Sequence, residues 1–294
     1  MTVESNSFRV LFVLLTAISV PVFTSAQIDS VNHKRLNAFM ALSAIGYAGT
    51  YVGLHQLWYK DSPRQSFRFF NDNAEWKQVD KLGHFYSAFY FSWGTSQALR
   101  WANVNPTRSD LVGALTGFLV IAPIEIFDGY SADYGASSGD LVADAAGSLF
   151  FLSQKKLWNE VRLIPKFSYQ STQYAGLRPN ILGDNATSRI LKDYNGQTYW
   201  LSVDMDKFIT FPKWLNLAVG YGAEGMIYGR DHQNEAVGLA PQRQYYLAVD
   251  FDLTAIRTRS KFLKSLIFLA NTIKIPAPTL ELSRSGVQFD AFFH

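Results

Sequence analysis

No cysteine occurs in the 294 residues. Disulfides, thiolate metal sites and the lipid-modified cysteine of a lipoprotein are therefore excluded within them. Charge is scarce too. Asp, Glu, Lys and Arg make up 17% of the chain, against roughly 25% in a typical soluble domain. The net charge of +3 is too small to point to nucleic acid, so no nucleic-acid partner is expected. None of the helix candidates is a clean bilayer span of about 20 apolar residues. Familiar catalytic signatures are missing as well. There is no His-Glu-x-x-His, no Glu-x-x-His, no phosphate-cradling glycine loop and no Gly-x-Ser-x-Gly, so no known hydrolase class is indicated. No internal repeat is visible.

What remains is apolar and aromatic. Hydrophobic residues reach 48% and aromatics 15%, a globular, lipid-tolerant composition rather than a disordered one. At the N-terminus, Arg9 precedes an apolar run from Val10 to Val20, broken only by Thr16 and Ser19. Pro21 ends it, and Thr24-Ser25-Ala26 supplies small residues for cleavage after Ala26. This is the layout of a signal peptide over residues 1–26, and it predicts export to the cell envelope.

The mature chain divides near Glu160. Residues 27–160 read as helical and residues 161–294 as mostly strand-like, which predicts an α+β protein: an apolar bundle of about four helices followed by an antiparallel β-rich region. The expected helices run from about Leu36 to Tyr59, Lys81 to Trp101, Ser109 to Phe127 and Gly139 to Trp158. Gly46, Gly49 and Gly53 give the first a stripe where another helix could approach closely. The second half alternates with period two at Thr198–Met205, Trp214–Tyr221 and Tyr245–Leu253, and Val287, Phe289, Ala291 and Phe293 share a face. A half-buried sheet packed on the helices is the economical reading, and membrane insertion of the helices competes evenly with a soluble bundle. Residues 256–273 carry Arg257, Arg259, Lys261 and Lys264 without an acid. A basic amphipathic helix of this kind lies on an anionic membrane surface, so membrane lipid is the expected partner.

Three pairs of ionisable residues stand at helical spacing: Asp80 with His84, Glu125 with Asp128, and Asp140 with Asp144. Members of each pair lie on one helix face and can point into the same space between helices. Glu125 follows an uncharged stretch from Leu111 to Ile124, and a carboxylate buried there needs a cation or a proton. Asp128 falls near a helix end, where the dipole disfavours negative charge. Asp80 and Asp140 have simpler roles open to them, as a cap and a first-turn acid, and Lys81 reads as a solvated or snorkelling charge. One histidine with several carboxylates suits a hard divalent ion, with His84, Glu125, Asp128 and Asp144 as candidate ligands. The same groups could work as general acid and base, with His84 or Glu125 as the catalytic base, or form a structural or proton-relay network.

Asp80-Lys81-x-x-His84, Glu125-x-x-Asp128 and Asp140-x-x-x-Asp144-x-x-Gly147 together resemble the YfiM-like family of envelope proteins (domain of unknown function 2279). More distantly they are similar to VanZ-like membrane proteins, which carry an Asp-Lys-x-x-His element, a glutamate and a late Asp-x-x-x-Asn-x-x-Gly element. Here Asp144 stands in place of that Asn, and Asp128 where those proteins usually have Gln. The resemblance covers about Asp80 to Gly147. It implies an envelope location, outer-membrane or periplasmic, and membrane association, and it implies no established reaction. Three functions stay open: an accessory envelope protein whose cluster binds an ion or lipid head group, an enzyme acting on an envelope lipid or glycan, and a transport or channel component.

Overall fold

The computed structural model describes residues 31–60 and 62–293. The segment expected to be a signal peptide lies outside them. The first half is helical: α1 (His33–Leu54), α2 (Val79–Trp101), α3 (Pro106–Ile121), α4 (Pro123–Gly129) and α5 (Ser138–Trp158). The second half holds six strands: β1 (Leu163–Tyr169), β2 (Gln197–Val203), β3 (Leu215–Glu224), β4 (Gln242–Phe251), β5 (Ala277–Ser283) and β6 (Gly286–Phe293). They pair in sequence order as one antiparallel sheet with β1 and β6 at its edges. The protein is therefore α+β.

Helix boundaries follow local chemistry. The Asn32 side chain accepts the Arg35 N–H at 3.0 Å and caps α1. Asn105 caps α3, and Pro106 occupies its first turn, where a missing N–H costs nothing. The single helix expected from Ser109 to Phe127 is instead two. Pro123 has no N–H for the preceding turn, so α3 closes at Ile121 and α4 begins afresh. The basic helix expected over residues 256–273 is also shorter, α6 (Lys261–Ala270), with Arg257 and Arg259 ahead of it.

Packing in the helical half is close and built on small residues. α2 is the central helix, against both α3 and α5. A Cβ on Gly147 would stand 2.1 Å from the Phe85 carbonyl oxygen, and one on Gly117 would stand 2.0 Å from Ser92 Oγ. Only glycine lets these backbones meet. By contrast, Gly46, Gly49 and Gly53 face nothing within 4 Å. The stripe expected to receive a helix on α1 is unpartnered among the described residues.

The two halves meet where α2 lies across β1, β2 and β3. Tyr86 packs on Phe167 and Tyr199, with ring centroids 6.1 and 5.9 Å away. The junction is fastened by an unusual backbone: Trp76, Lys77 and Gln78 all have left-handed φ (47°, 52° and 65°) just before α2. Such a conformation costs roughly 1–2 kcal/mol per residue. The β half offsets it. Trp76 N–H donates to the Gly229 carbonyl at 2.7 Å, Tyr221 OH donates to the Lys77 carbonyl at 2.5 Å, and Lys77 pairs with Asp231 at 2.5 Å.

The sheet departs from expectation in polarity. Its buried face carries Lys166, Ser202, Asn216 and Asp250, all fully buried, and its exposed face carries Val219, Leu247, Leu280 and Leu282. At the C-terminus the predicted alternation breaks at an irregularity in the β5–β6 register. Val287 and Phe289 stay exposed, whereas Phe293 is buried against Trp200 and Tyr246.

Gly117→Val should lower the thermal midpoint in detergent, corresponding to roughly 1–3 kcal/mol for a forced bulge in a packed interface. Gly46→Val, which meets open space, should leave the midpoint unchanged. Circular dichroism melts of both variants beside the parent check this.

Candidate functional site

All three spaced pairs converge on one place, where α2, α4 and α5 meet the loop before α2. His84 projects from α2, Glu125 and Asp128 from α4, and Asp140 and Asp144 from α5. His84 Nδ1 lies 3.0 Å from Asp144 Oδ1, a fully buried carboxylate. Its other ring nitrogen, Nε2, faces Glu125 Oε1 at 4.0 Å. Glu125 is anchored by its second oxygen, which accepts the Ser137 N–H at 2.6 Å. Among the described residues Oε1 itself has no hydrogen-bond partner, nor does Asp144 Oδ2 or Asp80 Oδ1.

Ser137 organises the entrance of α5. Its Oγ accepts the Asp140 N–H at 3.0 Å and so caps the helix. The same hydroxyl donates to Asp72 Oδ1 at 2.6 Å, while its backbone N–H holds Glu125. One serine thus fixes an acid from the loop, an acid from α4 and the start of α5. Asp128 finds the partner that its place near a helix end calls for: Tyr59 OH donates to its Oδ1 at 2.7 Å.

Two groups of acids share this space and differ in what neutralises them. In the first, Asp72, Asp80 and Asp140 place oxygens within 4.8 Å of one another. Lys81 Nζ stands among them at 2.9, 3.3 and 3.1 Å. It is a largely buried counter-ion, not the solvated charge expected from the sequence. Burial pushes the Asp72 carboxyl up, but hydrogen bonds from Ser137 and Lys81 outweigh it and hold the group below the ordinary aspartate range. In the second group, His84, Glu125 and Asp140 also place ligand atoms within 4.8 Å of one another. No Lys or Arg forms an ion pair with Glu125 or Asp144 among the described residues.

The cluster lines a cavity of about 500 Å³ that lies between the two halves. Asp72, Asp80, His84, Asp128 and Asp140 supply its polar wall, and Trp58, Tyr59, Phe70, Trp76, Tyr194 and Tyr199 are among its aromatic wall. Ile181, Ile190 and Leu191, from the segment between β1 and β2, add an aliphatic side. Such a space suits an amphiphile or a glycan ring.

The five acids and one histidine singled out in the sequence therefore fall together. Their roles differ from those expected. Asp144 stands behind His84 rather than beside Glu125, Asp128 is engaged by Tyr59, and Asp140 takes the third position nearest His84 and Glu125. Arg257, Arg259, Lys261 and Lys264 lie apart from the cavity lining. Asp72, Tyr59 and Ser137 were not anticipated. They sit outside the helical spacing pattern, and only the fold brings them in.

Lys81→Met should be strongly destabilising, by roughly 3–5 kcal/mol, because it strands three carboxylates around one lost cation. Lys81→Arg should retain most of the stability. Chemical unfolding in mild detergent would measure both.

A family model described as "Predicted periplasmic lipoprotein (DUF2279)" matches residues 68–153. That is under a third of the chain, yet it holds every member of the cluster from Asp72 to Asp144. No curated protein and no solved structure matches the chain. The likeness supports a location in the cell envelope or periplasm, although none of the 294 residues is a cysteine that could carry a lipoprotein's lipid.

Proposed function

We propose that this chain is an exported envelope protein that binds a divalent cation between His84 Nε2, Glu125 Oε1 and a carboxylate oxygen of Asp140. The observation that carries this reading is the posture of His84. Asp144 holds Nδ1 at 3.0 Å, which fixes the ring and leaves Nε2 facing Glu125 Oε1 at 4.0 Å, an oxygen with no hydrogen bond among the described residues. Two bonds of about 2.0–2.3 Å, as divalent ions form with nitrogen and oxygen, span that gap. A carboxylate behind a ligating histidine is the usual second partner of such a ligand. Asp128, a candidate ligand on sequence grounds, is engaged by Tyr59 and stands as support. The likeness of Asp80-Lys81-x-x-His84 to VanZ-like membrane proteins fits a site of this kind close to a membrane.

The cavity favours a second reading, an enzyme. An envelope lipid or glycan would lie along the aromatic wall with its polar end at the cluster. A bound cation would polarise that end, and His84 or Glu125 would take or give a proton there. The channel reading has less support, since among the described residues β1 and β6 are edges of the sheet.

Metal analysis by mass spectrometry on detergent-purified protein tests the proposal. The parent should hold close to one divalent ion per chain after dialysis against manganese or zinc. Glu125→Gln should lose it while remaining folded, and Asp144→Asn should bind about 10–100-fold more weakly. A parent without bound metal, paired with variants of reduced stability, would make the cluster a buried structural network and end this reading.

A further inference from the structure

The sheet is built inside out. Along its inner face Lys166 pairs with Asp250 at 2.7 Å, and neither side chain has any exposure. Ser202 Oγ donates to Asp250 at 2.6 Å, and Asn216 donates to Ser202 at 3.2 Å. Trp200, Tyr246 and Phe293 pack beside this network. The outer face of β3 to β6 is aliphatic: Val219 pairs with Leu247, Leu247 with Leu280, and Leu280 with Phe289. These four are 53%, 52%, 44% and 67% exposed. A sheet folding in water does the reverse, covering its apolar face and wetting its polar one. α2 covers only the β1 to β3 end, through Tyr86 on Phe167 and Tyr199.

The apolar band has edges. On β3 and β4 it begins at Leu215 and Phe251, where Trp214 stacks on Phe251 at 6.0 Å, and it ends at Tyr221 and Tyr245. Lys213 lies just outside one edge and Arg243 just outside the other. The seven residues from Leu215 to Tyr221, six steps of about 3.4 Å, make the band roughly 20 Å tall. An aliphatic band of about this height, bordered by aromatic residues and with a polar interior behind it, is the lipid-facing pattern of membrane β-sheets.

The helices share part of this pattern, although Ala114, Ile121 and Phe151 are buried with their polar neighbours. α3 buries Ser109, Asp110 and Gly117 and exposes Leu111 and Leu115; α5 buries Asp144, Ser148 and Gln154 and exposes Val142 and Leu149. Pro106–Gly129 is long and apolar enough to cross a membrane. α6 anchors on α2 through Phe268 and Trp93, 4.8 Å apart. It leaves Phe262, Leu266 and Leu269 exposed beside Lys261 and Lys264, a complement to an anionic lipid surface.

We propose that the outer face of β3–β6 lies against the acyl chains of a membrane, so that the sheet forms a lipid-facing wall with a polar inner side. This does not depend on the cation site, and metal content would be unaffected if it failed. The absence of cysteine makes the test clean. Val219→Cys, Leu247→Cys and Leu280→Cys, with Glu235→Cys, exposed at the end of a short helix between β3 and β4, as a solvent control, are each labelled with an environment-sensitive fluorophore. The proteins are reconstituted into phosphatidylethanolamine and phosphatidylglycerol vesicles. The three sheet labels should emit blue-shifted and be quenched several-fold more by doxyl-labelled lipid than by iodide, and the Glu235 label the reverse. Quenching of the sheet labels by iodide would overturn the proposal by showing a wetted face. Protection from both quenchers would overturn it by showing another protein surface, such as a second copy, on the sheet.

Discussion

The structure depends on burying a set of paired polar groups beside an aromatic core, while many aliphatic side chains remain on the outside. Polar groups held inside in this way need close backbone contact and hydrogen bonds between buried groups. Both are present. Gly117 and Gly147 bring α3 and α5 onto α2. Ser96 donates to Asp110 at 2.6 Å across the same interface, with Arg100 on the other Asp110 oxygen at 2.6 Å. The β half does the same with Lys166, Asp250 and Ser202.

That arrangement is also what makes a polar site possible in so apolar a chain. Carboxylates buried among apolar residues are costly unless each finds a cation or a donor. Lys81 answers for Asp72, Asp80 and Asp140, Tyr59 answers for Asp128, and Ser137 answers for one oxygen of Glu125. His84 Nε2 faces the other Glu125 oxygen at 4.0 Å, which is where the proposed cation would sit. The site rests on the junction before α2, where three successive left-handed residues are held by Gly229, Tyr221 and Asp231. The β half thereby sets the entry angle of the helix that carries Asp80, Lys81 and His84.

The sequence by itself determined the division into helical and strand-rich halves, because the hydrophobic period changes from 3.6 to 2 near Glu160. It also marked His84, Glu125, Asp128, Asp140 and Asp144, because ionisable residues three or four apart in uncharged helices share a face wherever those helices end up. Tertiary structure alone decided the rest. Pro123 broke one expected helix into two. Asp72 and Ser137 joined the cluster from loop and helix-cap positions, and Tyr59 from the end of the first helical segment, none of them in an ionisable pair that a local pattern could announce. The buried position of Lys81 was equally hidden, since a lysine beside an aspartate reads as a surface pair until the elements around it are placed. Alternation in β3 and β4 was plain in the sequence. Which face lies inside was not, because period two is the same for a sheet in water and a sheet in lipid. Only the packing of α2 on one end of the apolar face, and the burial of Lys166 with Asp250 on the other face, separates the two.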